Sequence, residues 1–131
     1  MIGVWGEYAK EYLYVVAIGS CLFFGLPMVF IPLRWARIFQ WIIPEHTHLT
    51  IYFGRCLGGI ICVMAVFAIV ATRNATTLQF FYGFILVNFI VMIFVHIYGA
   101  IKKIQPKAET LEILYWLGLA IATLLFYPPG Q

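Results

Sequence analysis

At 131 residues the chain has room for about four membrane crossings and no separate soluble domain. It is 64% hydrophobic and 10% charged, with a mean hydropathy of +0.99, whereas a soluble domain carries about 25% charged residues; the fold class expected is an all-α polytopic membrane protein. Eight basic and five acidic residues give a net charge of +3, too small and too scattered for a nucleic-acid surface, so no nucleic-acid partner is expected.

The amino terminus carries Glu7, Lys10 and Glu11 in place of a basic run, and no small-residue cleavage site follows, so the first span is expected to be retained. That span is predicted over 12–31. Ala17, Cys21 and Gly25 recur in it every fourth residue and form one narrow packing face. Pro27 lacks an N–H and its ring crowds the preceding turn, which predicts a kink with the disturbance around Phe23 and Phe24. Between Pro32 and Pro44, Arg34, Arg37 and Gln40 share one helical arc, and Trp35, Ile38, Phe39, Ile42 and Ile43 share the other. A short helix lying in the membrane interface is expected there, begun by Pro32 and stopped by Pro44.

Glu45, His46 and His48 lead into a second span over 51–72, in which Gly54 and Gly58 have the small-xxx-small spacing that lets helix backbones approach. Arg55 beside them is costly to expose to lipid, and points to a bundle interior, a headgroup layer or a wet cavity. Asn74-Ala75-Thr76 matches a glycosylation sequon but sits too close to two spans to be expected in use. The third span, 78–98, places Asn88, Met92 and His96 at four-residue steps on one stripe. Lys102, Lys103, Pro106 and Lys107 make the next loop. Thr110 is the expected N-cap of a short fourth span over 111–127, with Glu112 in its first turn and Gly118 and Ala122 as a further small-residue pair. Together these spans predict a single four-helix up-down bundle. Arg34, Arg37, Arg55, Lys102, Lys103 and Lys107 on one side outnumber Lys10 and Arg73 on the other, which places both termini outside the cytoplasm.

In that topology Glu45, His46, His48, Arg55, His96, Glu109 and Glu112 gather at the cytoplasmic interface. His46, His48 and His96 with a glutamate are the residue types of a metal site. His-x-His spacing turns the two rings to different helix faces, however, and histidines bonded to headgroups, water or backbone account for all three; no metal or cofactor is expected. A pocket for an anionic or quinone-like amphiphile is the second functional reading, with Arg55, Asn88, His96 and Glu112 as its ligand-binding residues. The alternative for Arg55 is snorkelling or pairing with Glu112, and for Asn88 an interhelical hydrogen bond. No acidic residue occupies the middle of a span, which argues against a proton-coupled transporter, and there is no opposed histidine pair for a haem, no phosphate loop, no nucleophile elbow and no HExxH motif. Cys21, Cys56 and Cys62 make no CxxC pair and read as packing residues.

Four short spans, Arg55 followed by Gly58 near the start of the second, and His96 ending the third make the stretch 51–126 similar to the DoxX-like and related four-helix membrane proteins. That resemblance implies a small membrane partner of an oxidoreductase or another complex. The pattern from Arg55 through Asn74 to Tyr98 and Gly99 also resembles the small four-helix scaffold of sterol biosynthesis. The function expected first is therefore an accessory or scaffold subunit among membrane lipids, docking other membrane subunits or a second copy through its small-residue rows. A lipid- or quinone-binding enzyme with an Arg/His/Glu pocket is the competing expectation.

Overall fold

The computed structural model describes residues 2–129, and among them every regular element is helical. Four helices are long and apolar enough to cross a membrane, Gly6–Phe30, His48–Ala71, Ala75–Lys102 and Lys107–Leu125, which is the make-up of a multi-pass membrane protein. The first is composite: a 3₁₀ turn, Gly6–Tyr8, leads into α1 (Ala9–Ser20), a π-helical turn (Cys21–Gly25) and α2 (Leu26–Phe30). A short helix α3 (Pro32–Ile38) follows, then α4 (His48–Ala71), α5 (Ala75–Lys102) and α6 (Lys107–Leu125). The chain divides into two compact units. One takes the residues up to Tyr12 and from Ala71 onward; the other is Leu13–Val70.

In the Leu13–Val70 unit, the disturbance expected from Pro27 takes the form of the π-helical turn immediately before it. A proline at 27 has no N–H to offer the carbonyl of Phe23 four residues back. The Trp35 indole donates to that carbonyl instead, at 2.9 Å, from α3. Trp35 also packs its ring on Phe24 and Phe39. The interfacial segment is shorter than its sequence pattern suggests. It ends at Ile38 because Gln40 adopts a left-handed conformation (φ 65°), so that the Trp41 N–H reaches back to the Ala36 carbonyl at 3.1 Å and the Gln40 N–H to that of Arg37 at 3.0 Å. This paired closure satisfies the end of α3 well before Pro44.

The small-residue rows of the first and second spans face each other. A methyl group at Gly58 would stand 2.7 Å from the Gly25 carbonyl oxygen and 2.8 Å from both Met28 Cβ and Val29 N, while one at Gly54 would lie 2.9 Å from Pro32 Cβ. Gly25 is buried and leaves room for Cys62, whose Sγ lies 3.7 Å from that of Cys21, both thiols being free. Ala17 is buried too. This contact predicts that mild oxidation cross-links Cys21 to Cys62 within one chain, visible as a faster-migrating species on non-reducing gels that disappears in Cys62→Ser; a product still formed by that variant would contradict the pairing.

In the other unit α5 and α6 pack against each other. Asn74 opens α5 as its N-cap, accepting from the Thr76 and Thr77 N–H groups at 2.8 and 3.3 Å, so the sequon asparagine has a structural duty. Lys103, left-handed at φ 54°, closes α5 with the Ile104 N–H on the Gly99 carbonyl. The fourth span begins earlier than expected. Pro106, in extended conformation, is the N-cap residue, and Thr110 lies inside α6 with its N–H on the Pro106 carbonyl. At the far end the N–H groups of Gly3 and Trp5 donate to the Leu124 and Leu125 carbonyls, each at 2.9 Å, satisfying acceptors that a helix end leaves orphaned. Tyr82 is fully buried and donates to the Ala9 carbonyl at 2.7 Å, and Tyr12 and Thr123 join their hydroxyls at 2.8 Å.

Candidate functional site

Where α5 ends and α6 begins, a histidine is enclosed by two carboxylates. His96 is 5% exposed. Its Nδ1 lies 2.7 Å from the Met92 carbonyl oxygen on the preceding turn of α5. A carbonyl only accepts, so Nδ1 carries the hydrogen and Nε2 is turned toward α6. There it meets Glu109 Oε2 at 3.3 Å and Glu112 Oε2 at 3.6 Å, with the two glutamate side chains only 12% and 14% exposed. Glu109 and Glu112 converge because they are three residues apart on one helix and so share a face.

The surroundings hold this arrangement in place. Gln105 donates through Nε2 to the His96 backbone carbonyl at 3.0 Å and to Thr110 Oγ1 at 3.2 Å, tying the end of α5 to the start of α6. Gly99 makes room for it, since a side chain there would collide with the Gln105 amide. Trp116, one turn beyond Glu112, lays its ring 5.9 Å from that of His96 and 5.8 Å from that of Phe89, walling the cluster on its apolar side. Two buried polar atoms there, Glu112 Oε1 and Trp116 Nε1, make no well-formed hydrogen bond among the described residues, although the Trp116 N–H lies close enough to Glu112 to favour its carboxylate. One is an acceptor and the other a donor.

Of the ligand residues expected from the sequence, His96 and Glu112 are brought together, with Glu109 as the third member. Asn88 is half-buried earlier on α5. Arg55 belongs to the Leu13–Val70 unit, where it is exposed and its Nε–H donates to the Val29 carbonyl at 3.2 Å. The chain breaks from helix at Ile31, leaving carbonyls at the end of α2 without helical donors, and a cation there also suits the helix dipole. His46 and His48 are exposed, and the cluster of metal-capable side chains found among the described residues consists of His96, Glu109 and Glu112. Among the packing residues, Cys21, Gly25, Gly54 and Gly58 are engaged inside their unit, Gly118 has open space around its Cα, and Ala122 is half-buried.

Gln105 is the residue of this cluster that the sequence reading did not name; Glu109 was placed with the ionisable groups of the interface but not among the ligand-binding residues. The signal for Glu109 was the Glu-x-x-Glu spacing, legible once α6 is known to start before it. The chain matches no protein-family model, no curated protein and no solved structure.

Proposed function

We propose that the protein is an integral membrane ligand-binding protein whose working site is the His96–Glu109–Glu112 cluster, and that the ligand is an amphiphile with a hydroxyl-bearing head of quinol type. The observation that carries this reading is the loosely matched pair at the cluster: a hydroxyl is at once a donor and an acceptor, and inserted between Glu112 Oε1 and the Trp116 N–H it completes the geometry that the two do not achieve with each other. The sign of the charge selects further. In the cluster without a bound cation, two carboxylates around one imidazole favour donors and repel a phosphate or carboxylate head, so a neutral hydroxyl is preferred to the anionic ligands expected with Arg55 in the pocket. Apolar side chains exposed along α5 and α6, among them Val91, Val95, Leu111 and Leu114, suit the contact of a hydrocarbon tail.

Lys102, Lys103 and Lys107 flank the cluster, and the positive-inside rule then sets it at the cytoplasmic face, with both termini on the other side. The subunit reading loses much of its support, because Gly58 is spent on Gly25, Gly54 on Pro32 and Cys21 on Cys62, all within one unit.

The test uses the full chain with Trp5 and Trp41 replaced by phenylalanine, so that Trp116 is read against the constant background of Trp35, whose bond to the Phe23 carbonyl is kept. Titrating a short-chain quinol is expected to quench Trp116 saturably, and Glu112→Gln is expected to weaken binding about tenfold or more, the scale of one buried hydrogen bond to a charged group. Quenching that does not saturate, or that is indifferent to Glu112→Gln, would remove the proposal.

A further inference from the structure

The spacing, charge and tautomer of the same cluster carry a second conclusion: we infer that His96 Nε2, Glu109 and Glu112 form a binding site for a divalent transition cation of the zinc class. This inference rests on the cluster being the working site and is independent of the quinol. The first support is distance. His96 Nε2 stands 3.3 and 3.6 Å from its two carboxylate oxygens, and all three ligand atoms lie within 4.8 Å of one another. A charge-assisted hydrogen bond would draw such pairs to about 2.7–2.9 Å. A tetrahedral zinc with arms of about 2.0–2.1 Å sets its ligands about 3.3–3.4 Å apart; the His96–Glu109 pair, at 3.3 Å, has that spacing, and the His96–Glu112 pair, at 3.6 Å, is wider than it. The long glutamate side chains have the freedom to close the third edge.

The second support is charge. Two largely buried carboxylates are costly unless their charge is balanced, and a dication beside a neutral imidazole closes the sum to zero, as would a proton on Nε2 together with one on a glutamate. The third is orientation. A metal-bound histidine typically donates its other N–H to a carbonyl or carboxylate, which fixes the ring and raises the basicity of the ligating nitrogen; Nδ1–H on Met92 is that arrangement. Three protein ligands leave a fourth position open. Glu112 Oε1 and the Trp116 N–H, which make no well-formed hydrogen bond with each other, flank the cluster where an oxygen on that position would lie.

The probe is Co²⁺ added to the chelator-stripped full chain in detergent micelles, followed by competition with Zn²⁺. The expected result is one Co²⁺ per chain with the intense visible absorption of a tetrahedral ion, bleached by Zn²⁺. His96→Gln abolishes that spectrum, and Glu112→Gln and Glu109→Gln each weaken binding at least tenfold, the lower end of what support residues around a metal cost. Glu112→Gln is near-isosteric, so it keeps the test valid if His96→Gln fails to elute as the parent does. A pale octahedral spectrum, a sulfur-to-cobalt band, a tetrahedral spectrum unchanged by Glu112→Gln, or no uptake at all would each overturn the inference. No uptake would mark the cluster as an ion pair only. Quinol quenching in the stripped protein is scored separately, so either conclusion can fail alone.

Discussion

Gly58→Ala is expected to destabilise the protein by about 1–3 kcal/mol, the range for forcing an extra group into a packed interface, and Gly58→Leu by more. The reason is the kind of atom in the way. A Cβ at 58 meets the Gly25 carbonyl oxygen at 2.7 Å, the Met28 Cβ at 2.8 Å and the Val29 nitrogen at 2.8 Å, and none of these can swing aside as a side-chain tip does. Relief requires the helices to separate, which forfeits the close approach on which packing in lipid depends. Gly118→Ala is the matched control, because nothing lies within 4 Å of a Cβ there. It is expected to be neutral or to stabilise by up to about 1 kcal/mol through helix propensity. Denaturation in micelles followed by circular dichroism reads both; equal effects at the two positions would contradict the facing of Gly25 and Gly58.

His96→Ala is expected to cost about 3–5 kcal/mol, the loss found when one partner of a buried ionic group is deleted. Whatever positive charge Nε2 carries, proton or metal ion, its removal leaves Glu109 and Glu112 enclosed together with like charges opposed. The diagnostic is a double-mutant comparison. Adding Glu112→Gln to His96→Ala removes one of the stranded charges and should restore part of the stability, so that the two changes are strongly non-additive. Additive losses would mean that the side chains do not act as a unit.

The four apolar blocks were legible because each is a long run of hydrophobic residues with punctuation at its ends, and the helices observed enclose most of each predicted span. The ends were less so. Thr110 resembles an N-cap, and a hydroxyl before an apolar run is the usual signal, but Pro106 turns the chain first and α6 starts at Lys107. That shift conceals the site, since a helix begun after Thr110 leaves Glu109 outside and unrelated to Glu112. His96 and Glu112 stood out as ionisable residues at the ends of apolar runs. Gln105 did not, because a neutral amide in a loop carries no pattern until the left-handed turn at Lys103 brings it beneath His96. Arg55 read as a residue too costly to face lipid; its bond to the Val29 carbonyl follows from the break at Ile31, which no periodicity reports.

The bond from Trp35 to the Phe23 carbonyl bears on how the protein is made. Residue 23 is synthesised before residue 35, so the Phe23 carbonyl gains its indole donor only once α3 has been made. The π-helical turn before Pro27 is therefore completed by a residue of the following short helix, so that a chain cut after Phe30 would lack one of the bonds that the full chain makes at this turn.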